Sequence, residues 1–116
     1  GGGHSGGGIF ISARDHARYG LLFMNNGEWQ GDRIISEEWI DAIQQGSSAA
    51  EGYGYMWWLN HGRRANEDIP THVFFAAGFG GNYIIVDQEN GLVVVTRWLE
   101  PSQLDAFEDI LWQALR

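Results

Sequence analysis

With 116 residues and an apolar fraction of 44%, the chain is long enough for one small domain with a hydrophobic core. A formal charge of −8 argues against nucleic acid or an anionic membrane surface as partner, because no basic patch exists to neutralise phosphates. No apolar run approaches roughly 18 residues, so the sequence predicts no membrane span. All seven basic residues are arginines, which excludes lysine-based chemistry for this chain alone.

Cysteine is absent, which excludes disulfides, thiolate nucleophiles and Cys-ligated metals and leaves the compartment undetermined. The first stretch, Gly1 to Gly8, holds six glycines around His4 and Ser5. A flexible linker is one interpretation, and an ordered turn that passes close to other atoms is the alternative. The start lacks the charged and apolar regions of a signal peptide.

Two helices are predicted in the first half of the chain. Ser12 is a good N-cap for a helix over 12–26, and Gly20 inside it indicates close approach to another element. Ser36 caps a second helix over 36–45. The expected buried positions are Ala13, Ala17, Leu21 and Met24 in the first helix and Trp39, Ile40 and Ile43 in the second.

Four strands follow, near 52–59, 72–78, 82–88 and 92–98. Asn90-Gly91 predicts a two-residue type I′ hairpin loop that places Glu89 opposite Leu92, with the register continuing along both strands. The same register pairs Val86 with Val95 and Ile84 with Arg97. One face then carries Ile84, Val86, Val93 and Val95, and the other carries Tyr83, Ile85, Leu92, Val94 and Trp98. Both faces are apolar, so the sequence predicts that both are covered.

The last predicted helix spans 102–115, with an apolar stripe at Leu104, Phe107, Leu111, Ala114 and Leu115. The element order predicts an α+β fold with an antiparallel sheet of about three to four strands and helices packed on it. We expect residues 1–116 to form a single domain. Strand 92–98 has the composition of an interior strand, yet the chain contains few other strands to flank it.

No catalytic group is evident from residue patterns alone. Ser12, Ser36 and Ser102 are explained as helix caps, and adjacent His4 and Ser5 diverge too much for a Ser-His pair. The remaining histidines do not suggest a site: His16 is expected on a solvated helix face, and His61 and His72 lack zinc-ligand spacing. We therefore predict no metal and no cofactor. The Gly78 to Gly81 run has no P-loop lysine, and it permits either close approach to a ligand or a bulge.

Three stretches together resemble one family. GGGHSGGGIFISARDHARYGLLFMNNGEWQGDRIISEEWI, then GYGYMWWLN, then FFAAGFGGNYIIVDQENGLVVVTRW, resemble the C-terminal portion of serine β-lactamase-like hydrolases. This group includes class C β-lactamases, penicillin-binding-protein-related esterases and nylon-oligomer hydrolases. The resemblance implies that the glycine-rich start is native sequence, and that the fold is the C-terminal part of the β-lactamase/transpeptidase-like fold.

The resemblance also implies a location for substrate binding. In the family a Ser-x-x-Lys motif supplies nucleophile and base, a Tyr-x-Asn motif assists proton transfer, and a third motif on a strand lines the site. The third-motif strand is similar to 75–81 here, without its Lys-Thr-Gly form, and its backbone groups help to form an oxyanion hole. The substrate-binding residues implied are Ala76, Ala77, Gly78, Phe79, Gly80 and Gly81.

The chain departs from the family because it has neither Ser-x-x-Lys nor Tyr-x-Asn. We therefore expect a truncated hydrolase domain with no catalytic residue, inactive alone, or a fragment whose activity needs a missing N-terminal part. A self-associating module is the alternative, with homo-oligomers formed through the edge strand 92–98 or the terminal helix. A small hydrolase using His4 or His16 is a third. Relatives are often exported, but the compartment of this chain stays open.

Overall fold

The computed structural model describes residues 10–63 and 69–115. The helices are α1 (Ala13–Met24), α2 (Glu37–Ile43), α3 (Asn60–Arg63) and α4 (Leu104–Leu115), with a 3₁₀ turn at Pro101–Gln103. The strands are β1 (Glu28–Trp29), β2 (Asp32–Arg33), β3 (Tyr53–Gly54), β4 (Trp57–Leu59), β5 (Phe74–Gly78), β6 (Asn82–Asp87) and β7 (Leu92–Thr96). None of these helices is both long and apolar enough to cross a membrane. The predicted alternatives for Gly1 to Gly8, including those for His4 and Ser5, lie outside the described residues.

The fold is α+β, as predicted. One antiparallel sheet has five strands in the order β3-β4-β5-β6-β7, and β1 and β2 form a separate hairpin. The sheet has more strands than the three to four expected, because the segment 52–59 forms two short strands. Tyr55 and Met56 turn the chain between them with φ of 46° and 78°. Non-glycine residues rarely adopt positive φ, so the sequence gives no signal for this turn.

The predicted register of the last hairpin is wrong by two residues. Asp87 pairs with Leu92, so the loop has four residues, 88–91, and only Gly91 within it has positive φ. The cause is the Asp87 carboxylate, which accepts hydrogen bonds from the Asn90 backbone N–H at 3.0 Å and from its side-chain amide at 2.8 Å. A two-residue shift preserves which face each side chain occupies, so the predicted faces hold for both strands.

Both faces of the sheet are covered by helices. The first face packs against α1 and α2 in a cluster formed by Phe23, Ile40, Ile43, Trp57, Leu59, Phe74, Ile84 and Val86. The second packs against α4 in a cluster formed by Ile69, Val73, Phe75, Ile85 and Trp112. Among the described residues β7 is the last strand on its side of the sheet. Trp98, expected on the second face, lies beyond β7 and is 70% exposed.

In α1 the buried positions are Gly20 and Phe23, whereas Ala13 is exposed and Ala17 only partly buried. A Cβ built on Gly20 would lie 2.5 Å from Val93 Cγ1 and 2.9 Å from Ile84 Cγ2. Only glycine lets the helix backbone come this close to β6 and β7, which is the close approach that the sequence suggested.

Two other predicted helix faces are partly wrong. In α2, Ile40 and Ile43 are fully buried, but Trp39 is 46% exposed and its ring lies 4.6 Å from that of Tyr55. In α4, Glu108 and Trp112 are buried, whereas Ala114 and Leu115 are exposed. The last residues of α4 do not belong to the cluster on the sheet. The apolar pattern of the helix therefore continues to its end, although no described residue covers Ala114 and Leu115 there.

Candidate active-site edge

The end of β5 is open on one side. This strand pairs with β6 from Phe74 to Gly78, but with β4 only at Phe74 and Phe75. Met56, which would continue β4 opposite Ala77, instead takes positive φ and belongs to the turn. Residues 77 and 78 therefore have no strand beside them on the β4 side in the described part of the chain.

The alternation of an antiparallel ladder fixes which backbone groups point to that open side. Asn60 N–H donates to Val73 C=O at 3.1 Å, in register with the β4–β5 pairs. Backbone groups of Val73, Phe75 and Ala77 therefore point toward β4, and those of the residues between them point toward β6. The N–H and C=O of Ala77 face the open side, where no described backbone group hydrogen-bonds with them.

A cavity of about 290 Å³ lies beside this edge. Most of its wall is aromatic or aliphatic, and its polar side chains come from α1 and from the start of β6. The lining residues are His16, Tyr19, Tyr53, Met56, Trp57, Trp58, Ala76, Ala77, Gly78, Asn82 and Ile84. A concave, largely apolar pocket with a few convergent polar groups is typical of a small-molecule site.

Three of the six predicted substrate-binding residues line this cavity: Ala76, Ala77 and Gly78. The other three, Phe79, Gly80 and Gly81, form the adjoining turn and do not line it. Phe79 is 97% exposed. The turn is fastened by Asn82, whose side-chain amide donates to Phe79 C=O at 2.7 Å.

His16 projects from α1 into the cavity wall, so the expectation of a solvated histidine is wrong. Its Nδ1 is buried and has no hydrogen-bond partner in the described part of the chain. Burial and the nearby charge of Arg97 lower the pKa of the imidazole, and Asp15 opposes them only in part. The spacing of His16, Gly20 and Phe23 at i, i+4 and i+7 is the signal that could have placed the ring on the buried side.

Arg97 lies behind the polar end of the cavity. Its Nε donates to Asn82 Oδ1 at 2.9 Å and its Nη1 donates to Ile11 C=O at 2.8 Å. Asn82 thus connects the guanidinium to the glycine-rich turn. Tyr19, on the same wall as His16, has its phenol pKa raised by burial.

The two other histidines in the described part of the chain lie elsewhere. His72 Nε2 is 2.8 Å from Oδ1 of the fully buried Asp87, at the end of β6 opposite to Asn82. The sequence did not reveal this pair because its members are 15 residues apart. His61 Nε2 is 3.1 Å from Gln44 C=O. Across residues 10–63 and 69–115, no group of three or more His, Asp or Glu side chains could hold a metal ion.

Two of the described serines cap helices. Ser12 Oγ and Ser36 Oγ accept hydrogen bonds from Asp15 N–H and Trp39 N–H, so both predicted caps form. The predicted Ser102 cap does not form, because α4 is preceded by a 3₁₀ turn whose N-cap is Glu100, without a side-chain bond. No serine hydroxyl in the described chain is hydrogen-bonded to a histidine.

A larger cavity, of about 510 Å³, lies between the loop 47–52 and the ring of Phe75. Ser47, in its wall, hydrogen-bonds within its own turn, accepting from Ala50 N–H at 3.0 Å. This cavity contains neither a histidine nor the open strand edge. The smaller cavity at the end of β5 is therefore the better candidate for the site.

Comparison with known proteins supports the resemblance. No protein-family model matches the chain. A 6-aminohexanoate-dimer hydrolase from Paenarthrobacter ureafaciens is 27% identical over 114 residues, a match that covers 85% of this chain and 27% of that protein. A solved structure from Bacillus anthracis, named for the same activity, superposes with a TM-score of 0.62 at 25% identity, covering 89% of this chain and 28% of that one. By sequence and by fold, the chain is similar to 6-aminohexanoate-dimer hydrolases, the nylon-oligomer hydrolases of the serine β-lactamase-like group.

Proposed function

We propose that the chain is the substrate-holding part of a serine β-lactamase-like hydrolase and that it does not catalyse acyl transfer by itself. The chain spans only about a quarter of the length of the relatives it matches, 27% of one and 28% of the other. The ligand that this proposal assigns to the cavity is a linear amide or ester, by analogy with the relative named for 6-aminohexanoate dimer.

The open edge of β5 is the observation that carries this proposal. An extended ligand lying beside 76–78 would continue the sheet as a short strand, accepting from Ala77 N–H and donating to Ala77 C=O. The apolar part of such a ligand fits against Tyr19, Trp57 and Met56 on the cavity wall. The backbone hydrogen bonds of Ala77 would supply affinity, and the aromatic wall would favour ligands with an apolar chain.

Catalysis needs groups that this sequence does not contain. The family's nucleophile and base come from Ser-x-x-Lys, and the chain has no lysine. Each tyrosine has a residue other than asparagine two places on: Leu21, Tyr55, Trp57 and Ile85. An activated serine needs a base within hydrogen-bond reach, and no described serine is hydrogen-bonded to a histidine. The Ser12 hydroxyl donates to the Asp15 carboxylate, but Arg18 also binds that carboxylate, and both residues belong to the start of α1.

Replacing Ala77 with proline is expected to weaken binding of 6-aminohexanoate linear dimer about three- to tenfold, the value of one net hydrogen bond. Proline removes the N–H that faces the open side, while the ladder to β6, formed through residues 76 and 78, stays intact. Amide shifts of residues 76 and 78, which keep their N–H groups in the variant, measure the dissociation constant in ¹⁵N-resolved NMR titrations.

Ala77→Val is the matched control, because it adds similar bulk and keeps the N–H. Equal weakening in both variants would show that bulk, not the hydrogen bond, matters, and would contradict the proposal. The same samples, assayed with a chromogenic ester and a chromogenic β-lactam, are expected to show no turnover. Turnover that survives repurification would refute the proposed inactivity.

A second candidate function, self-association, is favoured by the composition of β7. This strand, Leu92–Thr96, ends the sheet among the described residues and contains no charge and no proline, the usual protections of an edge. Tyr83 N–H points toward Thr96, so by alternation the backbone groups of Val93 and Val95 point outward. A second copy of the chain could pair there and extend the sheet, and α4 adds the exposed Ile110.

Sedimentation equilibrium tests this second candidate. We expect a dimer at high concentration, and we expect Val95→Pro to shift it toward monomer because proline removes an outward N–H without touching the bonds to β6. Far-UV circular dichroism checks that the variant keeps its fold. A strict monomer at millimolar concentration would contradict self-association and leave the hydrolase proposal standing.

A further inference from the structure

The sequence contains two Asn-Gly steps, Asn26-Gly27 and Asn90-Gly91, and the fold holds them in different ways. Asparagine before glycine is chemically labile in water, because the backbone nitrogen of the small glycine can reach the side-chain carbonyl carbon of the asparagine. In a folded chain this attack requires a glycine N–H that is free and a backbone that can move. Two steps with the same local sequence can therefore differ in reactivity through the fold alone.

The glycine nitrogen of the first step is held at the end of α1. Gly27 N–H donates to Leu22 C=O at 2.8 Å, and Gly27 C=O accepts from the N–H groups of Ile34 and Ile35 at 2.9 Å and 3.1 Å. Gly27 is also buried, and a Cβ built on it would lie 2.2 Å from Ile35 C=O oxygen. Attack by this nitrogen would break the hydrogen bond that ends the helix and displace packed backbone, so the fold protects Asn26.

The glycine nitrogen of the second step is not held in this way. Asn90 and Gly91 are both exposed in the loop 88–91, and a Cβ built on Gly91 would meet nothing within 4 Å. In the part of the chain that the structure describes, nothing accepts a hydrogen bond from Gly91 N–H. The side-chain amide of Asn90 donates to Asp87 Oδ2 at 2.8 Å. Attack on Asn90 has to open that one bond of an exposed side chain, which slows it by about three- to tenfold.

We propose that Asn90 is a modification site at which the chain deamidates itself, and that the product releases the loop 88–91 from Asp87. In the first step Gly91 N bonds to Asn90 Cγ, the Cγ–Nδ2 bond breaks, and ammonia leaves with the proton of Gly91 N–H. Water then opens the cyclic imide at either carbonyl, which leaves an aspartate or an isoaspartate in place of Asn90. The reaction needs no other reactant, and it is independent of the β5 cavity and of any hydrolase activity.

The new carboxylate would face the carboxylate of Asp87. That side chain is fully buried, accepts from both donors of Asn90, and has its Oδ1 2.8 Å from His72 Nε2. His72 Nδ1 is in turn 3.3 Å from Glu89 Oε2, so a further carboxylate lies at the same end of the hairpin. Deamidation replaces the amide donor with a negative charge, and like charges this close repel each other. The loop therefore loses the bond that holds it and gains a repulsion.

Incubation of the full chain in neutral buffer tests the modification. Trypsin cleaves after arginine and places the two steps in separate peptides, 19–33 and 65–97, whose fragment ions locate each change of amide to carboxyl by mass. In the folded chain we expect Asn90 to react at least about tenfold faster than Asn26, since Asn26 reacts only when the bonds of Gly27 are given up. In urea, where neither step is held, we expect similar rates. Equal rates in the folded chain, or no reaction at Asn90, would overturn the proposal.

Gly91→Ala tests the attacking atom. The added Cβ meets nothing in the structure, but it hinders the approach of the backbone nitrogen to Asn90 Cγ. We expect slower conversion of Asn90 and an unchanged rate at Asn26. An unchanged rate at Asn90 would show that water attacks the amide directly, which would contradict the cyclic step.

Two aspartate variants test the release of the loop. Asn90→Asp reproduces one product, and Asn26→Asp makes the same change of charge at the protected step. We expect hydrogen exchange of the amides 88–91 to quicken about tenfold in Asn90→Asp alone, the value of one net hydrogen bond. Unchanged exchange in that variant would contradict the release, and equal quickening in both would show a general effect of charge instead.

Discussion

Gly81→Ala is expected to lower the free energy of unfolding by more than about 3 kcal/mol, because it combines positive-φ strain with a clash that only backbone movement can relieve. Gly81 has φ of +71°, and a Cβ placed on it would lie 1.6 Å from Leu99 C=O oxygen and 2.6 Å from its carbon. Thr96 Oγ1 and Leu99 N–H both donate to Gly81 C=O, at 3.1 Å and 3.2 Å. The substitution would displace these partners as well.

Gly31→Ala is the matched control. Gly31 has φ of +92° in the β1–β2 turn, and an added Cβ would meet nothing within 4 Å. Gly31→Ala is therefore expected to lower the free energy of unfolding only through positive-φ strain, by about 1 kcal/mol. Urea denaturation of both variants measures the difference. Similar losses would show that φ, rather than the contact with Leu99, requires glycine at position 81.

Asp87→Ala is expected to lower the free energy of unfolding by about 3–5 kcal/mol, the cost of removing one partner from a buried polar cluster. The Asp87 side chain is fully buried and accepts from both donors of Asn90, and its Oδ1 is 2.8 Å from His72 Nε2. The alanine would remove all of these bonds, including the two from Asn90 that hold the four-residue loop. We expect the hairpin amides of 88–91 to lose protection in hydrogen exchange.

The same residue gives a pH dependence with a definite sign. Burial acts to raise the pKa of Asp87, but hydrogen bonds from Asn90 and His72 outweigh it, so the pKa lies below its ordinary value. A group whose pKa is lower in the folded state stabilises the fold above the unfolded value of about 3.9. That contribution is lost as the pH falls through the lower folded value.

Asp87→Asn should therefore flatten the loss of stability below about pH 4, measured by urea denaturation across the acid range. Asp41→Asn, at an exposed position on α2, serves as the control for a general effect of removing one carboxylate. If both variants lose stability at low pH in the same way as the unsubstituted chain, the Asp87 carboxylate is not the cause of that loss.

The faces of the last two strands could be predicted because alternation has a period of two and depends on the sequence alone. Val86 and Ile85 accordingly lie in different clusters, as expected. The register could not be predicted in the same way. Local turn preferences of Asn90-Gly91 predict a two-residue loop. Hydrogen bonds from Asn90 to the Asp87 carboxylate instead hold Asn90 inside a four-residue loop.

The candidate site could likewise be predicted from the sequence only in part. The resemblance indicated the strand that ends at Gly78, and the structure brings Ala76, Ala77 and Gly78 to a cavity wall. Nothing in the local sequence indicated that His16, 60 positions before Ala76, would line the same cavity wall. Such pairs depend on how α1 crosses the sheet, which the position of Gly20 decides.

The sequence by itself determined the chemistry that this chain cannot supply: residue types are independent of folding, so a chain without lysine cannot supply a lysine base in any conformation. It also determined the α+β class, through apolar periods and helix caps that act over a few residues. Only the tertiary structure decided that the β4 edge stops short of Ala77 and that His16 lines the cavity there. Those features depend on contacts between segments that are distant in the chain. Local patterns of apolar and polar residues do not determine the geometry of such contacts.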